Sequence, residues 1–194
     1  MNKETLIMCA QLCKASYDDK DTRFTTIDEL SFGVINIMGV TYLVFRGTYN
    51  IKGWLHDFTV VPSLTKGGYL AHTGFIFAMH ELWNPICKSL DGLPRPWIIT
   101  GHSLGGALAV LYGEQIKVPT ITFGSPRVYS RMNGNIPKID HYRIITDDDL
   151  VPHVPESLMW KHDCDPYLIL KDNDKEYINV EDHDINVYIS QLTK

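Results

Sequence analysis

Residues 98–109 constrain the fold of this chain most, because they combine a strand, a sharp turn and a helix in one short run. They read Ile-Ile-Thr-Gly-His-Ser-Leu-Gly-Gly-Ala-Leu-Ala. The β-branched start is typical of a buried strand, and the small apolar residues after the turn favour a helix. Ser103 lies between Gly101 and Gly105. Because glycine has no side chain, the entering strand and the leaving helix can approach each other around a strained serine.

This G-x-S-x-G turn, in its strand and helix context, predicts a nucleophile elbow. A serine hydroxyl is a weak nucleophile at neutral pH, so it needs a base beside it and N–H donors that hold an oxyanion. A chance match in a loop of small residues is the alternative. The apolar runs on both sides of the turn argue against it.

The rest of the chain predicts an α/β fold in a single domain, residues 1–194. Helical spacing of apolar residues predicts three helices besides the one after Ser103: residues 4–17, residues 73–91 with Thr73 as N-cap and a kink at Pro85, and residues 185–192. Strands are predicted at 32–38 and 40–45 as a hairpin, at 97–100, 120–123 and 142–146, and at 167–170 and 177–180 as a late hairpin. This alternation favours a mostly parallel central sheet covered by helices on both faces.

Composition excludes some classes of partner. With 18 basic and 23 acidic residues the net charge is -5, which argues against nucleic acid and against electrostatic attachment to anionic lipid. Any lipid contact is therefore expected to be mainly hydrophobic. Neither a long apolar span nor a secretory signal is recognisable, so the chain is expected in the cytoplasm, with release by another route left open.

The four cysteines show no spacing of a disulfide framework and are predicted to be reduced core thiols. The sequence His162-Asp163-Cys164 could form one corner of a metal site. No second pair of ligands completes a tetrahedral set, so no metal is expected.

Acidic and basic partners for the serine follow it in the order that α/β-hydrolases use, acid and then histidine. Asp147-Asp148-Asp149-Leu150-Val151-Pro152 comes at the end of a predicted strand, and Asp182-His183 precedes the last helix. Further runs have a recognisable form: Y-L-V-F-R-G-T at 42–48, W-L-H-D at 54–57, H-T-G-F at 72–75, T-F-G-S-P-R-V at 122–128 and D-L-V-P-H-V-P at 149–155.

Together with the elbow, these runs resemble the class 3 lipase family, the fungal-lipase-like branch of the α/β-hydrolases. The resemblance covers roughly residues 41–188 and rests on six ordered matches. The terminal run Asp182-His183 with Tyr188 departs from the family's D-H-x-x-Y, because the tyrosine comes two places late. The resemblance implies a compact α/β-hydrolase fold.

It also implies roles for individual residues. Ser103 would be the nucleophile, His183 the general base and then acid, and Asp149 the carboxylate that orients the histidine. The backbone N–H groups of Thr48 and Leu104 would form the oxyanion hole, with the Thr48 hydroxyl as a third donor.

Two further residues have implied supporting roles. Asp57 is expected to hold Thr48 in place, and His102 to pack and form hydrogen bonds beneath the elbow.

Rival candidates remain for several of these roles. Asp147 or Asp148 could replace Asp149, but neither directly precedes the Leu-Val-Pro run. The histidines His153 and His162 lie soon after the acid, where the usual strand and loop do not fit, which favours His183. Three other polar residues are expected to be structural: Arg46, His72 and Arg127.

Residues 58–71 correspond to the position of a lid in the resembling family. Apolar residues of this segment could line an acyl pocket, with Gly67-Gly68 as a hinge: Val60, Val61, Leu64, Tyr69 and Leu70. An ordinary connection with a few core anchors is an equal alternative, because apolar loop residues serve both uses.

The predicted activity is two-step hydrolysis of acyl esters through an acyl-enzyme, with no metal or organic cofactor. The expected partner is a lipid or small acyl ester, with transient contact to a membrane or lipid interface. The shortness of the predicted lid segment, residues 58–71, favours a monoacyl, lyso- or medium-chain ester as substrate. A lysophospholipase, a phospholipase, an acyltransferase and a non-catalytic lipid-binding module remain as alternatives on the same scaffold.

Overall fold

The computed structural model describes residues 1–56, 61–95, 97–171 and 179–194, without the side chains of residues 54–56 and Asn133. The helices in these ranges are α1 (Lys3–Ala15), α2 (Ile51–His56), α3 (Thr73–Leu90), α4 (Leu104–Ile116) and α5 (Ile185–Leu192). The strands are β1 (Phe24–Ile27), β2 (Leu30–Ile37), β3 (Val40–Phe45), β4 (Pro62–Leu64), β5 (Leu70–His72), β6 (Trp97–His102), β7 (Thr120–Phe123), β8 (Tyr129–Ser130), β9 (His141–Thr146), β10 (Trp160–Lys161) and β11 (Leu168–Leu170).

A seven-stranded sheet forms the centre of the fold, in the order β1-β2-β3-β6-β7-β9-β11. The first three strands pair antiparallel, and every pairing from β3 onward is parallel. The prediction of a mostly parallel sheet is therefore confirmed. The carboxyl ends of its parallel strands lie along one edge, where α/β folds carry their sites.

Helices cover both faces of this sheet, as predicted. The helices α3 and α4 pack on one face, in a cluster that includes Leu43, Phe45 and Ile99. The helices α1 and α5 pack on the other face, in a cluster that includes Val44 and Ile121. Neighbouring residues of β3 point to opposite faces, and both faces are apolar because both are buried.

A second, four-stranded sheet was not predicted. Its order is β10-β8-β5-β4, and each strand has only two or three residues. Alternation of polar and apolar residues cannot be recognised over so few positions. Strands β4 and β5 of this sheet contain residues 62–64 and 70–71 of the predicted lid segment.

One local prediction is wrong, and another lies partly outside the described residues. The N-cap of α3 is His72 and not Thr73, because the His72 ring accepts a hydrogen bond from the backbone N–H of Gly74 at 3.2 Å. The late hairpin stays a prediction, because its second strand lies partly outside the described residues. Strand β11 pairs parallel with β9, and Asn179 forms a parallel bridge with Asp149, while residues 177 and 178 lie outside the described ranges.

Among the described residues, no helix combines the length and the apolar character that crossing a membrane requires.

Candidate active site

The turn between β6 and α4 has the strained geometry of a nucleophile elbow. Ser103 has φ 61° and ψ -131°, a backbone conformation that residues with a Cβ atom rarely adopt. A Cβ atom on Gly101 would collide with the backbone of Gly105, as predicted. A Cβ atom on Gly105 would instead collide with the carbonyl of Phe45. The second glycine is therefore required by the neighbouring strand β3 and not by the strand that enters the turn.

The loop after β3 passes directly over the elbow. A Cβ atom on Gly47 would lie 2.8 Å from the Cβ of Ser103, so this backbone contacts the serine. Thr48, the next residue, lines the adjacent cleft, and its hydroxyl accepts a hydrogen bond from the N–H of Asn50 at 3.2 Å. Leu104 is the first residue of α4, where backbone N–H groups have no acceptor within the helix. The two predicted oxyanion-hole residues therefore flank Ser103.

Asp149 and His183 form a buried pair. The Nδ1 atom of His183 lies 2.7 Å from Oδ2 of Asp149, and both side chains are almost fully buried. The same carboxylate accepts a hydrogen bond from the backbone N–H of Val151 at 2.8 Å. Asp149 follows the end of β9, and His183 ends a short 3-10 helix before α5. Of the three consecutive aspartates, the last therefore contacts the histidine, as the sequence favoured.

Gly124 provides the space for this pair. Its φ is +57°, and an added Cβ would lie 2.8 Å from Oδ2 of Asp149 and 2.8 Å from the His183 ring. Any other residue at this position would be strained and would separate the acid from the histidine.

Tyr188 is a site residue whose role the sequence did not indicate. Its hydroxyl donates to Oδ2 of Asp149 at 2.5 Å. Burial, followed by the charge of Asp149, raises the pKa of Tyr188 well above its usual range, so the phenol keeps the proton that it donates. Its late position in the terminal motif drew attention to Tyr188 in the sequence, but only the structure shows that it contacts the acid.

His102 lies beneath the elbow, as predicted. Its ring stacks on that of His183 with centroids 4.5 Å apart, and its Nε2 atom lies 2.7 Å from the backbone carbonyl of His183. A carbonyl oxygen only accepts, so Nε2 carries the proton and Nδ1 is an acceptor. Burial, and next the proximity of His183, lowers the pKa of His102 well below its usual range, which keeps the ring neutral.

Tyr17, two residues after the end of α1, extends this chain of hydrogen bonds and was not predicted as a site residue. Its hydroxyl donates to Nδ1 of His102 at 2.8 Å and accepts from the backbone N–H of Gly47. The loop that carries Thr48 is thus connected through Tyr17 and His102 to the backbone of His183. Tyr17 lies 85 positions before His102, so no local pattern could reveal the contact.

The rival histidines are used elsewhere. The Nε2 atom of His162 bonds to the carbonyl of Pro152 at 2.8 Å, and His72 caps α3. His153 is exposed at the end of a 3-10 helix. The arginines predicted to be structural also have such contacts. Arg46 bonds to Asp19 at 3.2 Å, and Arg127 bonds to the carbonyls of His153 and Pro155.

The predicted lid residues that the structure describes do not line the cleft beside His183. Val61 and Leu64 are more than half exposed, and Tyr69 packs against the core on the α3 side. Leu70 begins β5 and is half-buried, outside that cleft. Residues Asp57 and Val60 lie outside the described ranges, so the predicted support of Thr48 by Asp57 stays a prediction.

Gly67-Gly68, the predicted hinge, forms the turn of the β4–β5 hairpin. Gly68 has φ +80° and donates to the carbonyl of Thr65 at 3.0 Å. The Thr65 hydroxyl in turn donates to the buried carboxylate of Glu114 at 2.8 Å, and Tyr129 donates to the same side chain at 3.1 Å. These contacts anchor the hairpin to α4.

A cleft of about 640 Å³ opens beside the histidine. Its walls include Thr48, His102 and His183 from the site and Tyr49, Ile51 and Val180 from the surrounding loops. Charged residues from α1, from the residues just after it and from the segment around His183 also contribute to the lining: Lys14, Asp18, Glu181 and Asp184.

Two atoms in the centre of the site make no hydrogen bond to any described residue. They are Oγ of Ser103 and Nε2 of His183, and both are buried. A buried polar atom without a partner costs free energy, and such atoms are found where a ligand or reacting group completes the bonding.

Three side chains of types that can ligate a metal lie close together outside this cleft. One ligand atom each from His141, Asp163 and Cys164 lies within 4.8 Å of the others. The histidine of this group is His141 and not His162, which the sequence suggested together with Asp163 and Cys164. Both ring nitrogens of His141 are already in hydrogen bonds, to Thr122 at 2.8 Å and to Asp163 at 2.9 Å. These contacts fit a structural role for the hydrogen-bonded pair of His141 and Asp163.

Comparison with known proteins identifies relatives of this chain. The sequence profile described as Lipase (class 3) matches residues 42–159, more than half of the chain. A lipase from Rhizomucor miehei is 29% identical over 160 residues, which is 72% of this chain and 44% of that protein. A secreted mono- and diacylglycerol lipase A from Penicillium camembertii is 28% identical over 181 residues, 81% of this chain and 57% of the relative. The chain thus spans about half the length of these relatives or less.

Solved structures show the same fold. The Rhizomucor miehei triacylglyceride lipase superposes with a TM-score of 0.73 at 24% identity, covering 88% of this chain and 80% of that one. A lipase from Rhizopus microsporus var. chinensis gives a TM-score of 0.74 at 19% identity, with 98% and 83% covered. These neighbours have the α/β-hydrolase fold that the sequence predicted. With the profile match, they show that this chain belongs to the class 3 lipase family.

Proposed function

We propose that this protein hydrolyses carboxylic esters of lipids, with Ser103 as nucleophile. One observation carries the proposal: a strained serine and a buried Asp149–His183 pair meet at the carboxyl edge of the sheet, and Oγ of Ser103 and Nε2 of His183 both lack a partner among the described residues. A reacting ester and the proton in transfer between these two atoms would complete the hydrogen bonding of both.

The reaction begins when Oγ of Ser103 attacks the carbonyl carbon of the ester and its proton passes to Nε2 of His183. The negative charge that develops on the carbonyl oxygen would be stabilised by the backbone N–H groups of Thr48 and Leu104. His183 then gives its proton to the leaving alcohol, and an acyl group remains on Ser103. A water molecule, deprotonated by His183, attacks this ester and releases the acid.

Asp149 supports the positive charge that forms on His183 in both steps. Its three donors, His183 Nδ1, the Tyr188 hydroxyl and the Val151 N–H, hold the carboxylate in one orientation. The connection through His102 and Tyr17 restrains the backbone of His183 and the loop of Thr48 together. We assign Tyr17, His102 and Tyr188 as positioning residues.

The substrate class is proposed from relatives and from the cleft. Both relatives described above are named as lipases, and one as a mono- and diacylglycerol lipase. The cleft beside His183 has apolar walls from Ile51, Val180 and Tyr49 and charged residues at its margin. An acyl ester with a polar alcohol portion suits this combination, in agreement with the monoacyl or medium-chain ester that the sequence favoured.

The test is hydrolysis of p-nitrophenyl esters across acyl lengths by the wild-type protein and by Ser103→Ala. We expect the substitution to reduce kcat by about 10⁶-fold, since the serine, the histidine and the aspartate act as one unit. Ser125→Ala is a matched control, because Ser125 is also buried beside α4 and its hydroxyl, among the described residues, donates to the carbonyl of Pro126. Equal activity of Ser103→Ala and wild type would reject the proposal.

A further inference from the structure

Four basic side chains line a cavity outside the catalytic cleft. Arg127, Arg131, Arg143 and Lys161 lie around a volume of about 410 Å³. We call this cavity the basic pocket. The chain has a net charge of -5, so four cations in one small cavity contrast with the overall balance of charge.

The hydrogen bonds of these cations go to backbone carbonyls. Arg131 donates through Nε to Ser157 at 2.7 Å, Arg143 through Nε to Cys164 at 3.3 Å, and Lys161 to Gly134 at 3.0 Å. Arg127 donates to Pro155 at 2.6 Å and to His153. For Arg131 and Arg143, the terminal guanidinium nitrogens have no such bond to the described residues, so these donors remain available.

Carboxylates lie near these cations but form no ion pair with them among the described residues: Glu156 acts on Arg127, and Asp163 and Asp165 act on Arg143. None lies within ion-pair distance of the four cations. Asp163 also lines the pocket, but His141 holds it at 2.9 Å. Asp165 lies at the pocket without a contact of that length. A guanidinium cannot lose its proton in a protein, so the charges persist.

The positive charge is partly buried. Arg143 is only 6% exposed. Burial, and then the neighbouring charges of Arg143 and Arg131, lowers the pKa of Arg127. Mutual repulsion in a partly desolvated cavity is unfavourable unless an anion enters it. Guanidinium groups match the oxygens of phosphate in pairs, which makes phosphate the anion best suited to this pocket.

Exposed apolar side chains lie next to the pocket. Leu158 is 84% exposed, Met132 67% and Met159 43%. Two hydrogen bonds hold the segment of Arg131 against the segment of residues 157–159. The backbone N–H of Arg131 donates to the carbonyl of Met159 at 2.8 Å, and its side chain donates to the carbonyl of Ser157. Met132 therefore lies beside the segment that carries Leu158 and Met159. Exposed apolar side chains beside a cationic cavity are typical of a surface that contacts a lipid interface.

We propose that the basic pocket binds the phosphate of an anionic phospholipid headgroup, while Leu158, Met132 and Met159 enter the acyl region of the membrane. The pocket would dock the protein on its lipid surface independently of the catalytic cleft. This modifies the expectation from net charge, which was that contact with lipid is mainly hydrophobic. Electrostatic attraction acts over about a Debye length, so a local cluster attracts an anion although the whole chain is acidic.

The test is vesicle binding by Ser103→Ala protein, which removes hydrolysis from the measurement. Sedimentation is compared for vesicles of phosphatidylcholine alone, phosphatidylcholine with phosphatidic acid, and phosphatidylcholine with cholesteryl hemisuccinate at matched surface charge. We expect the tightest binding with phosphatidic acid. In the same background, Arg131→Gln should weaken this binding by about fivefold. Leu158→Gln should weaken it by about tenfold.

Matched controls lie outside the pocket. Arg95→Gln removes one exposed guanidinium that lies over Trp97, and Phe77→Gln removes one exposed apolar side chain of α3. Both should bind vesicles like the Ser103→Ala parent. Lys161→Gln serves as a second pocket variant if Arg131→Gln does not fold. With Ser103 intact, Arg131→Gln and Leu158→Gln should cleave a soluble p-nitrophenyl ester at the wild-type rate, which separates docking from the proposed catalysis.

Three outcomes would overturn the proposal. Equal binding to hemisuccinate and phosphatidic acid vesicles would show attraction by charge without recognition of phosphate. Binding of inorganic phosphate, measured by calorimetry, without vesicle binding would assign the pocket to a free phosphate compound. Equal weakening by the pocket variants and their controls would exclude this surface as the docking site.

Discussion

The catalytic cluster and the basic pocket differ in how the protein stabilises their buried charges. At the catalytic cluster, the carboxylate of Asp149 has hydrogen-bond donors from His183, Tyr188 and Val151. In the basic pocket, Arg143 is 6% exposed and its hydrogen bond goes to one carbonyl oxygen. The first charge is stabilised by the protein itself. The second is offset among the described residues only by carboxylates beyond ion-pair distance, so an added anion would stabilise it further.

This difference shows how the two regions would respond to a ligand. The hydrogen bonds around Asp149 orient one histidine in advance, so binding of substrate needs little rearrangement of that pair. The basic pocket contains like charges that repel each other, so an anion would stabilise the folded protein as it binds. Mutations should therefore have large effects on rate in the first region and small effects on stability in the second.

The largest effect is expected for Asp149→Asn. An amide cannot support the imidazolium and can bind the ring in the wrong tautomer, so kcat should fall by about 10⁴-fold. Hydrolysis of a p-nitrophenyl ester measures the change. Asp147→Asn, at the exposed aspartate two places earlier, should retain wild-type activity. Comparable losses in both variants would contradict the assignment of the acid.

A pH effect is expected in the second region, at His162. Burial, and next the charge of Arg143, lowers the pKa of His162 to about 3. The unfolded chain binds a proton at this residue near pH 6.5, whereas the folded chain does not until about pH 3. The free energy of unfolding should therefore decrease as the pH falls through this window, by up to about 1.4 kcal/mol per pH unit from this residue.

His162→Asn should remove that contribution. Urea unfolding at several pH values measures the dependence, and the variant should show the smaller slope between about pH 6 and pH 4. Identical slopes for the two proteins would show that His162 does not remain neutral when the protein is folded.

The two tyrosines of the catalytic region should differ in effect. Tyr188→Phe removes a donor to the buried Asp149 carboxylate, a kind of hydrogen bond worth about 1.5–3 kcal/mol, so kcat should fall about tenfold or more. Tyr17→Phe removes a hydrogen bond to the neutral His102, so we expect a loss of about fivefold. Both variants should keep the wild-type KM, since neither side chain is proposed to bind substrate. A change in KM alone would contradict the positioning role.

The smallest effect is expected for Arg131→Gln on stability. Its side chain makes one hydrogen bond, to Ser157, and its loss also relieves repulsion of Arg127. The free energy of unfolding should change by less than about 0.5 kcal/mol, as measured by urea denaturation. A loss of several kcal/mol would show that Arg131 stabilises the fold through its bond to Ser157, and would contradict the small effect on stability expected for the basic pocket.

Much of the fold followed from local patterns. The elbow, the helices α1 and α5 and the parallel strands have apolar spacing that belongs to one kind of element. The small second sheet could not be found, since its strands have two or three residues and their pairing depends on segments far apart in the chain. The parallel pairing of β11 with β9 was not predicted for a related reason, because no signal in a single strand identifies its partner.

The sequence by itself determined the elbow and the order of serine, acid and histidine, because glycine sterics and strand ends act over a few residues. Only the tertiary structure decided that Tyr17 and Tyr188 contact the site and that four cations share one pocket. Tyr17 and His102 are 85 residues apart, and the cations come from separate segments between residues 127 and 161. Their meeting depends on the directions of side chains after the sheet and its helices have packed, which no local pattern records.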